Sequence, residues 1–471
     1  MRFLASITMM FLIIFAGKAQ DITGDWAGAL DVQGVQLRVV FHITKSEDGL
    51  KATMDSPDQG AKGIPVNGVT FERPVLKLDM SNIGANYEGS VNDDFTNITG
   101  IFTQGGHDLA LALSKKTETE LGTMTPKRPQ TPKEPFPYYS EDVVFNNTAA
   151  GVELAGTLTL PDSVGKYPVV VLISGSGPQD RNEELMNHKP FLVLSDYLTR
   201  HGIGVLRYDD RGIGASKGDF AAATSADFAT DAFAAVEYLK TRGDVMTDKI
   251  GLAGHSEGGM IAPMVAADHP DDIAFIVLLA GPGTLLTDLL QEQVALISRV
   301  SGASEEEIKR NAALSAGAYA IVQQGNDLET EKKLLESYFD KALDEMDATE
   351  LEAAGGKSAV KQKQITTLQS PWFRFFITFN PADYLKRVKC PVLAVNGSKD
   401  LQVPAKSNLP AIKAALDEGG NTQYRIVELE GLNHLFQKCE TGAPAEYAKI
   451  EETMNPKLLE TVTEWINKVV K

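Results

Sequence analysis

The apolar run Ile250 to Ala253 passes through Gly254-His255-Ser256-Glu257-Gly258 and continues as the small-residue stretch Met260 to Ala267. Few folds accept that order. In a G-x-S-x-G turn the backbone comes so close to itself that the residues two before and two after the serine must be nearly free of side chain, and the hydroxyl is lifted above a parallel sheet. Gly254 and Gly258 meet that need around Ser256. Glycine-rich chains produce the five-residue pattern by chance, so its weight comes from the strand-like run before it and the helix-like run after it.

A bare serine hydroxyl is a poor nucleophile near neutral pH and needs a histidine as base and a carboxylate to orient that histidine. Two further apolar runs supply both, in order. Pro391 to Asn396 reads as a buried strand, and the loop that leaves it, Ser398 to Pro404, carries Asp400. Tyr424 to Leu429 reads as the next strand and runs through Glu430-Gly431-Leu432-Asn433 to His434. Asp400 is the expected acid and His434 the expected base. Asp288 is the rival acid, disfavoured by its place in a helix start.

The order Ser, Asp, His, together with ISGSGPQDRN at 173–182, RYDDRGIGAS at 207–216, NGSKDLQVP at 396–404 and LNHLFQ at 432–437, resembles the α/β-hydrolase superfamily. Within it the chain is similar to bacterial two-domain serine esterases near the serine aminopeptidase and dienelactone hydrolase-like groups. The resemblance spans about residues 138 to 471. It implies an oxyanion hole made by the Glu257 N–H and by one N–H from the loop after the first buried strand. Aligning Ser174-Gly175 with the His-Gly that opens this loop in many relatives makes Ser176 the second donor, with Gly177 as the alternative. Ser174 is itself a departure from that His-Gly.

Arg2 precedes an apolar run from Phe3 to Ala16, and Gly17-Lys18-Ala19 offers small residues for a signal peptidase. Residues 1–19 therefore read as a signal peptide and the protein as exported, periplasmic or extracellular. The run is shorter than the roughly 20 residues needed to cross a bilayer, so no integral membrane association is expected. With 45 basic against 63 acidic residues the net charge is −18, which excludes nucleic acid as an expected partner. A small-molecule ester substrate is expected, and homo-oligomerisation is left open. Cys390 and Cys439 are the two cysteines. A strand separates them in the inferred fold, so two thiols are expected rather than a bridge.

Residues 20–116 hold short alternating runs broken by Asp48-Gly49, Asn67-Gly68 and Gly105-Gly106 and read as a small all-β domain. Its Gly24-Asp25-Trp26 is similar to the Gly-x-Trp start of lipocalin-like barrels, where such a tryptophan plugs the core. Residues 117–137, with Pro126, Pro129, Pro132, Pro135 and Pro137, read as an extended linker. From 138 to 284 strand-like and helix-like runs alternate, and they resume from 387 to 471, which implies an α/β fold with a mostly parallel sheet covered on both faces. Between them, 285–386 is helical in pattern and looks like a lid. The aromatic run Pro371 to Phe379 lies in it, and Trp372, Phe375 and Phe376 are candidates for lining the substrate pocket or for anchoring the lid.

Asp180, Arg181, Asp209, Asp210 and Arg211 are expected to hold loops by ion pairs, and His255 to pack behind the nucleophile. His188, His201 and His269 lack ligand-like spacing with cysteines or carboxylates, so no metal and no cofactor is expected. The sequence thus points to a serine hydrolase, read first as a carboxylesterase cleaving small or medium esters through an acyl-enzyme. The alternative on the same triad, implied by the resemblance, is a serine exopeptidase of the aminopeptidase type. A non-catalytic ligand-binding protein is the third reading.

Overall fold

The computed structural model describes residues 21–471 apart from 33–34, 48, 60, 106, 125–126, 345, 347–350 and 353–354. The signal-peptide reading of residues 1–19 lies outside the described residues. Two compact units divide the chain between Thr125 and Pro126.

The first unit is a nine-stranded sheet. Its strands are β1 (Gly24–Val32), β2 (Val35–Ser46), β3 (Gly49–Ser56), β4 (Ala61–Pro65), β5 (Gly68–Glu72), β6 (Val75–Met80), β7 (Ala85–Val91), β8 (Asn97–Gln104) and β9 (His107–Lys116). The spatial order is 4-3-2-1-9-8-7-6-5, so the first and last strands pair. All the pairs are antiparallel. Buried and exposed residues alternate strictly along β7, as one wet face and one core face require. Trp26 is fully buried in that core. Its indole N–H donates to the Ile22 carbonyl at 2.8 Å, and the Lys115 ammonium lies 5.4 Å from the ring centroid.

The start of the proline-rich segment is not extended. Glu118–Met124 is a helix, started by Thr117, whose N–H and hydroxyl both donate to Glu120 Oε2. The prolines begin only at Pro126, so nothing upstream blocks a helical turn. Beyond that point Arg128 donates to the carbonyls of Ile450, Met186 and Ala448, and Gln130 to that of Met454. This part of the segment is therefore pinned to the second unit.

The second unit holds an eight-stranded sheet of β10 (Tyr139–Asn147), β11 (Val152–Leu160), β12 (Tyr167–Ile173), β13 (Gly204–Tyr208), β14 (Val245–His255), β15 (Phe275–Leu279), β16 (Val392–Gly397) and β17 (Tyr424–Leu429). Their order is 10-11-13-12-14-15-16-17. The pairs from β13 through β17 are parallel, and β10 and β11 add an antiparallel edge. Parallel strands need covered faces. Helices Ser225–Lys240, Gly258–Asp268 and Ala405–Glu418 pack on one face, and Pro190–Arg200 and Pro456–Val469 on the other. From β12 the chain moves outward to β13 and then returns past β12 to β14. The crevice above the carboxyl ends of β12 and β14 is thus a topological switch point, where open α/β sheets bind ligands.

Between β15 and β16 stand the inserted helices Leu286–Val300, Glu305–Val322, Leu328–Asp344, Lys357–Leu368, Pro371–Thr378 and Pro381–Leu385. They share a small core of their own that includes Leu335, Phe339, Ile365, Phe373 and Ile377. The Ser304 hydroxyl caps the helix start, and Glu307 returns a bond to the Ser304 N–H. The chain is an α/β-hydrolase fold with a helical insertion, preceded by a small all-β domain. Cys390 and Cys439 are unpaired thiols.

Candidate active site

Ser256 sits at φ 52°, a left-handed conformation that costs a non-glycine residue roughly 1–2 kcal/mol. Its N–H donates to the Leu279 carbonyl of β15 at 2.9 Å, and the Gly259 N–H donates back to the Ser256 carbonyl at 2.9 Å. The neighbouring glycines are sterically required. A methyl group on Gly254 would lie 1.9 Å from the Gly258 carbonyl oxygen, and one on Gly258 would lie 2.1 Å from that of Ile173. The turn leaves Ser256 partly exposed while Gly254, His255, Glu257 and Gly258 are buried.

The loops after β16 and β17 are clamped together: a methyl group on Gly397 would stand 2.2 Å from the Leu432 carbonyl oxygen. That approach delivers His434 Nδ1 to 2.8 Å from Asp400 Oδ2. Asp400 Oδ1 accepts the N–H groups of Gln402 and Val403 at 2.8 and 2.9 Å. Asp400 thus presents acceptors to Nδ1 of His434, which selects the tautomer of the neutral ring whose Nε2 carries the lone pair. Asp288 is elsewhere, in the first turn of the helix Leu286–Val300.

In the loop after β12, Gly175 N–H donates to Glu183 Oε1 at 2.7 Å, while Ser174 Oγ donates to Asp210 Oδ1 at 2.7 Å. Among the described residues the N–H groups of Ser176, Gly177 and Glu257 have no acceptor. These are the three donors the sequence nominated for an oxyanion, with Gly177 itself at φ 95°.

Carboxylates crowd this end of the sheet. Asp210 accepts from Ser174 and from the Gln179 N–H, yet burial pushes its carboxyl up to about 7. Glu257 is also raised by burial, although its Oε1 accepts the Ser225 hydroxyl at 2.6 Å and the Trp372 indole N–H at 2.8 Å. Neither faces a cation among the described residues. Arg181 pairs instead with Asp209 and Arg211 with Asp231. Ser174, Gly175, Asp210 and Glu257 line a cavity of about 10 Å³, room for about one water.

The aromatic run divides its faces. Phe373 and Ile377 join the inserted helices' own core. Phe376 and Phe379 instead pack with Met260, Met264 and Val403, with Phe375 and Trp372 at the margin. Trp372 stacks on Phe376 at 4.7 Å between centroids. Trp372 therefore reaches the residue that follows Ser256.

His255 does more than pack. Its Nδ1 is 2.8 Å from Glu183 Oε1 and its Nε2 3.0 Å from the His434 carbonyl oxygen. Glu183 and Ser225 carried no signal in the sequence. Each is a lone polar residue whose partner lies far along the chain.

The X-Pro dipeptidyl-peptidase (S15 family) pattern matches residues 150–422, more than half of the chain. The chain belongs to that family. The S15 match runs from the β10–β11 turn to the approach to β17 and so contains Ser256 and Asp400. The chain is also similar to Esterase EstD of Thermotoga maritima, 24% identical over 435 residues, which cover 91% of this chain and 94% of that protein. Among solved structures it is similar to the ferulic acid-bound Est1E of Butyrivibrio proteoclasticus, at TM-score 0.41 and 19% identity over 70% of this chain and 99% of that one. The Pyrococcus furiosus esterase Pf2001 gives 0.43 and 16% over 70% and 93%. This S15 member is thus a serine-hydrolase-type α/β-hydrolase related to both esterases and peptidases.

Proposed function

We propose that this chain hydrolyses acyl bonds through an acyl-enzyme on Ser256, and that its acyl donors are peptides cleaved from their amino ends. His434 Nε2 takes the Ser256 hydroxyl proton as the oxygen attacks the carbonyl, then gives that proton to the leaving nitrogen. Asp400 holds the imidazole tautomer and stabilises its cation. The N–H groups of Glu257 and Ser176, with Gly177 as the alternative donor, receive the oxyanion. Water, deprotonated by the same imidazole, then releases the acid. The observation that carries this chemistry is the Asp400–His434 contact, which leaves Nε2 free for a serine proton.

Support for a peptide comes from the S15 match. A second reading, a carboxylesterase for small or medium esters, draws on the similarity to Esterase EstD. Paired aminoacyl amide and ester substrates with a common acyl group separate the two. Efficient amide cleavage supports the exopeptidase. Turnover of the ester alone, undiminished when the amino group is removed, rejects it for the esterase.

A further inference from the structure

Gly175, Glu183, His255 and His434 form one hydrogen-bonded chain that links the loop after β12, the end of β14 and the loop after β17. Glu183 Oε1 accepts the Gly175 N–H at 2.7 Å and meets His255 Nδ1 at 2.8 Å. The other ring nitrogen of His255 lies 3.0 Å from the carbonyl oxygen of His434. A carbonyl can only accept, so Nε2 bears a proton. Oε1 accepts the Gly175 N–H, as suits a carboxylate oxygen, and the nearby negative charge favours the protonated ring, so the pair is read as an imidazolium beside a carboxylate.

As a stability device this pair is poor. Both residues are buried, at 5% and 6% exposure, and Glu183 Oε2 has no hydrogen-bond partner among the described residues. Buried ion pairs with incomplete partners are commonly matched or bettered by apolar side chains. Glu183 also sits at φ 52° and Phe436, in the base loop, at φ 59°. Strain of this kind clusters where geometry is functional. Gly175 leads into the Ser176–Gly177 donors, and His434 is the base, so the pair spans both sides of the reaction centre.

We propose that Glu183 and His255 are positioning residues that lock the oxyanion loop to the loop of the general base, so that Ser176 and His434 are set by one shared ion pair. This rests on the reading of Ser256 and His434 as nucleophile and base. The groups facing His255 are the Glu183 carboxylate, the His434 ring at 4.7 Å, the Phe436 ring at 6.4 Å and, beyond His434, the Asp400 carboxylate. Burial lowers the affinity of His255 for its proton, but Glu183 and Asp400 more than offset this, and the net shift is upward. On the alkaline side the lock therefore opens as pH rises through the elevated pKa of His255.

The test is a pH–rate profile of the full chain for Glu183→Gln and His255→Phe, with phosphonate labelling of the parent as control. Glu183→Gln keeps an acceptor for Gly175 but removes the negative charge, so the alkaline limb of kcat should move to lower pH. At its plateau kcat should fall by up to about a hundredfold with KM little changed, the scale of a small misplacement at a reacting centre. His255→Phe should show the same loss with that limb absent. Where His255→Phe does not fold, Glu183→Gln and His255→Gln carry the test. An unmoved alkaline limb with kcat near the parent's, in a parent that labels at Ser256, overturns the positioning role alone. A parent that does not label overturns the nucleophile reading first.

Discussion

The elbow and the inserted helices meet at Trp372, yet they are built under opposite constraints. Around Ser256 there is no spare volume. β12, β13, β15 and β16 are buried almost end to end, and a methyl group added to Gly254 or Gly258 would stand only about 2 Å from a backbone carbonyl oxygen. In the insertion, Gly302 and Gly325 face open space. The helix Leu286–Val300 buries only Leu286 and Leu289, and Leu285, Val294, Val300, Leu328 and Leu334 remain exposed. The two regions differ in charge chemistry too. Burial raises Asp210 and Glu257 beside the elbow, whereas hydrogen bonds at helix starts hold Glu307 and Asp327 below the ordinary range. On the proposed function, the tightly packed sheet end would hold the reacting groups and the more exposed insertion would set what reaches them.

The largest expected effect lies at the nucleophile. Ser256→Ala should lose on the order of a millionfold in kcat, the scale for removing a serine-triad nucleophile, and should abolish phosphonate labelling. No substitution confined to the insertion should approach that. A Ser256→Ala protein as active as its parent would end the triad reading. Next comes the steric contrast. Gly258→Ala drives a methyl group into the Ile173 carbonyl and should fail to fold or lose about 3 kcal/mol or more, the upper end of the cost of overpacking a buried site. Gly325→Ala, at φ 70° in open space, should lose only about 1–2 kcal/mol of left-handed strain. Urea midpoints for the pair decide whether the contrast holds.

The charge contrast gives the third test. The Asp210 carboxyl, at 3.8 in its ordinary state, is raised to about 7 in the fold. The folded state thus binds this proton more tightly than the unfolded state. Its contribution to stability is fully present below about pH 4 and lost as pH rises to about 7, on the order of 4 kcal/mol at 1.36 kcal/mol per unit. Glu307 and Asp327 have the opposite sign and lose their contribution as pH falls. Asp210→Asn should flatten the decline between pH 4 and 7 in denaturant titrations, and an unchanged slope would show that Asp210 is ionised in the fold.

How much of this was legible follows the same division. The runs Pro391 to Asn396 and Tyr424 to Leu429 stand as β16 and β17 within a residue of those bounds: β16 is buried on both faces and has no room for charged residues, whereas β17 is an edge strand that exposes Arg425 and Glu428. Asp400 and His434 could be nominated because each follows such a run at the carboxyl edge. The helical insertion was visible only as a loss of alternation, since half-exposed helices leave a weak period. Glu183 was invisible for another reason: its partner His255 is 72 residues away and its own segment is irregular. The helix Glu118–Met124 was hidden under the composition of the proline-rich segment that follows it.

Trp372→Phe probes the seam between the regions. The ring stack on Phe376 survives, but Glu257 Oε1 loses one of its two donors. Losing a hydrogen bond to a charged group costs about 1.5–3 kcal/mol, part of which the Ser225 hydroxyl and water recover. The expected outcome is labelling of Ser256 retained, with KM raised more for bulky acyl groups than for acetyl. Equal loss for all acyl sizes would mean that the indole serves the elbow rather than the pocket.

The smallest effect should come from the exposed side of the insertion. Val294 lies mid-helix at 43% exposure, so Val294→Thr removes little buried surface, and substitutions at such positions usually stay within about 0.5 kcal/mol. Thermal unfolding and kcat should both match the parent. Leu285 and Val300 flank the same helix and are similarly exposed, so the triple change to threonine should remain close to additive, neighbouring sites being about 9 Å or more apart along the axis. A loss well beyond the sum, growing with protein concentration, would show that this face is covered by a second copy of the chain. The insertion would then be constrained by assembly rather than by the sheet beneath it.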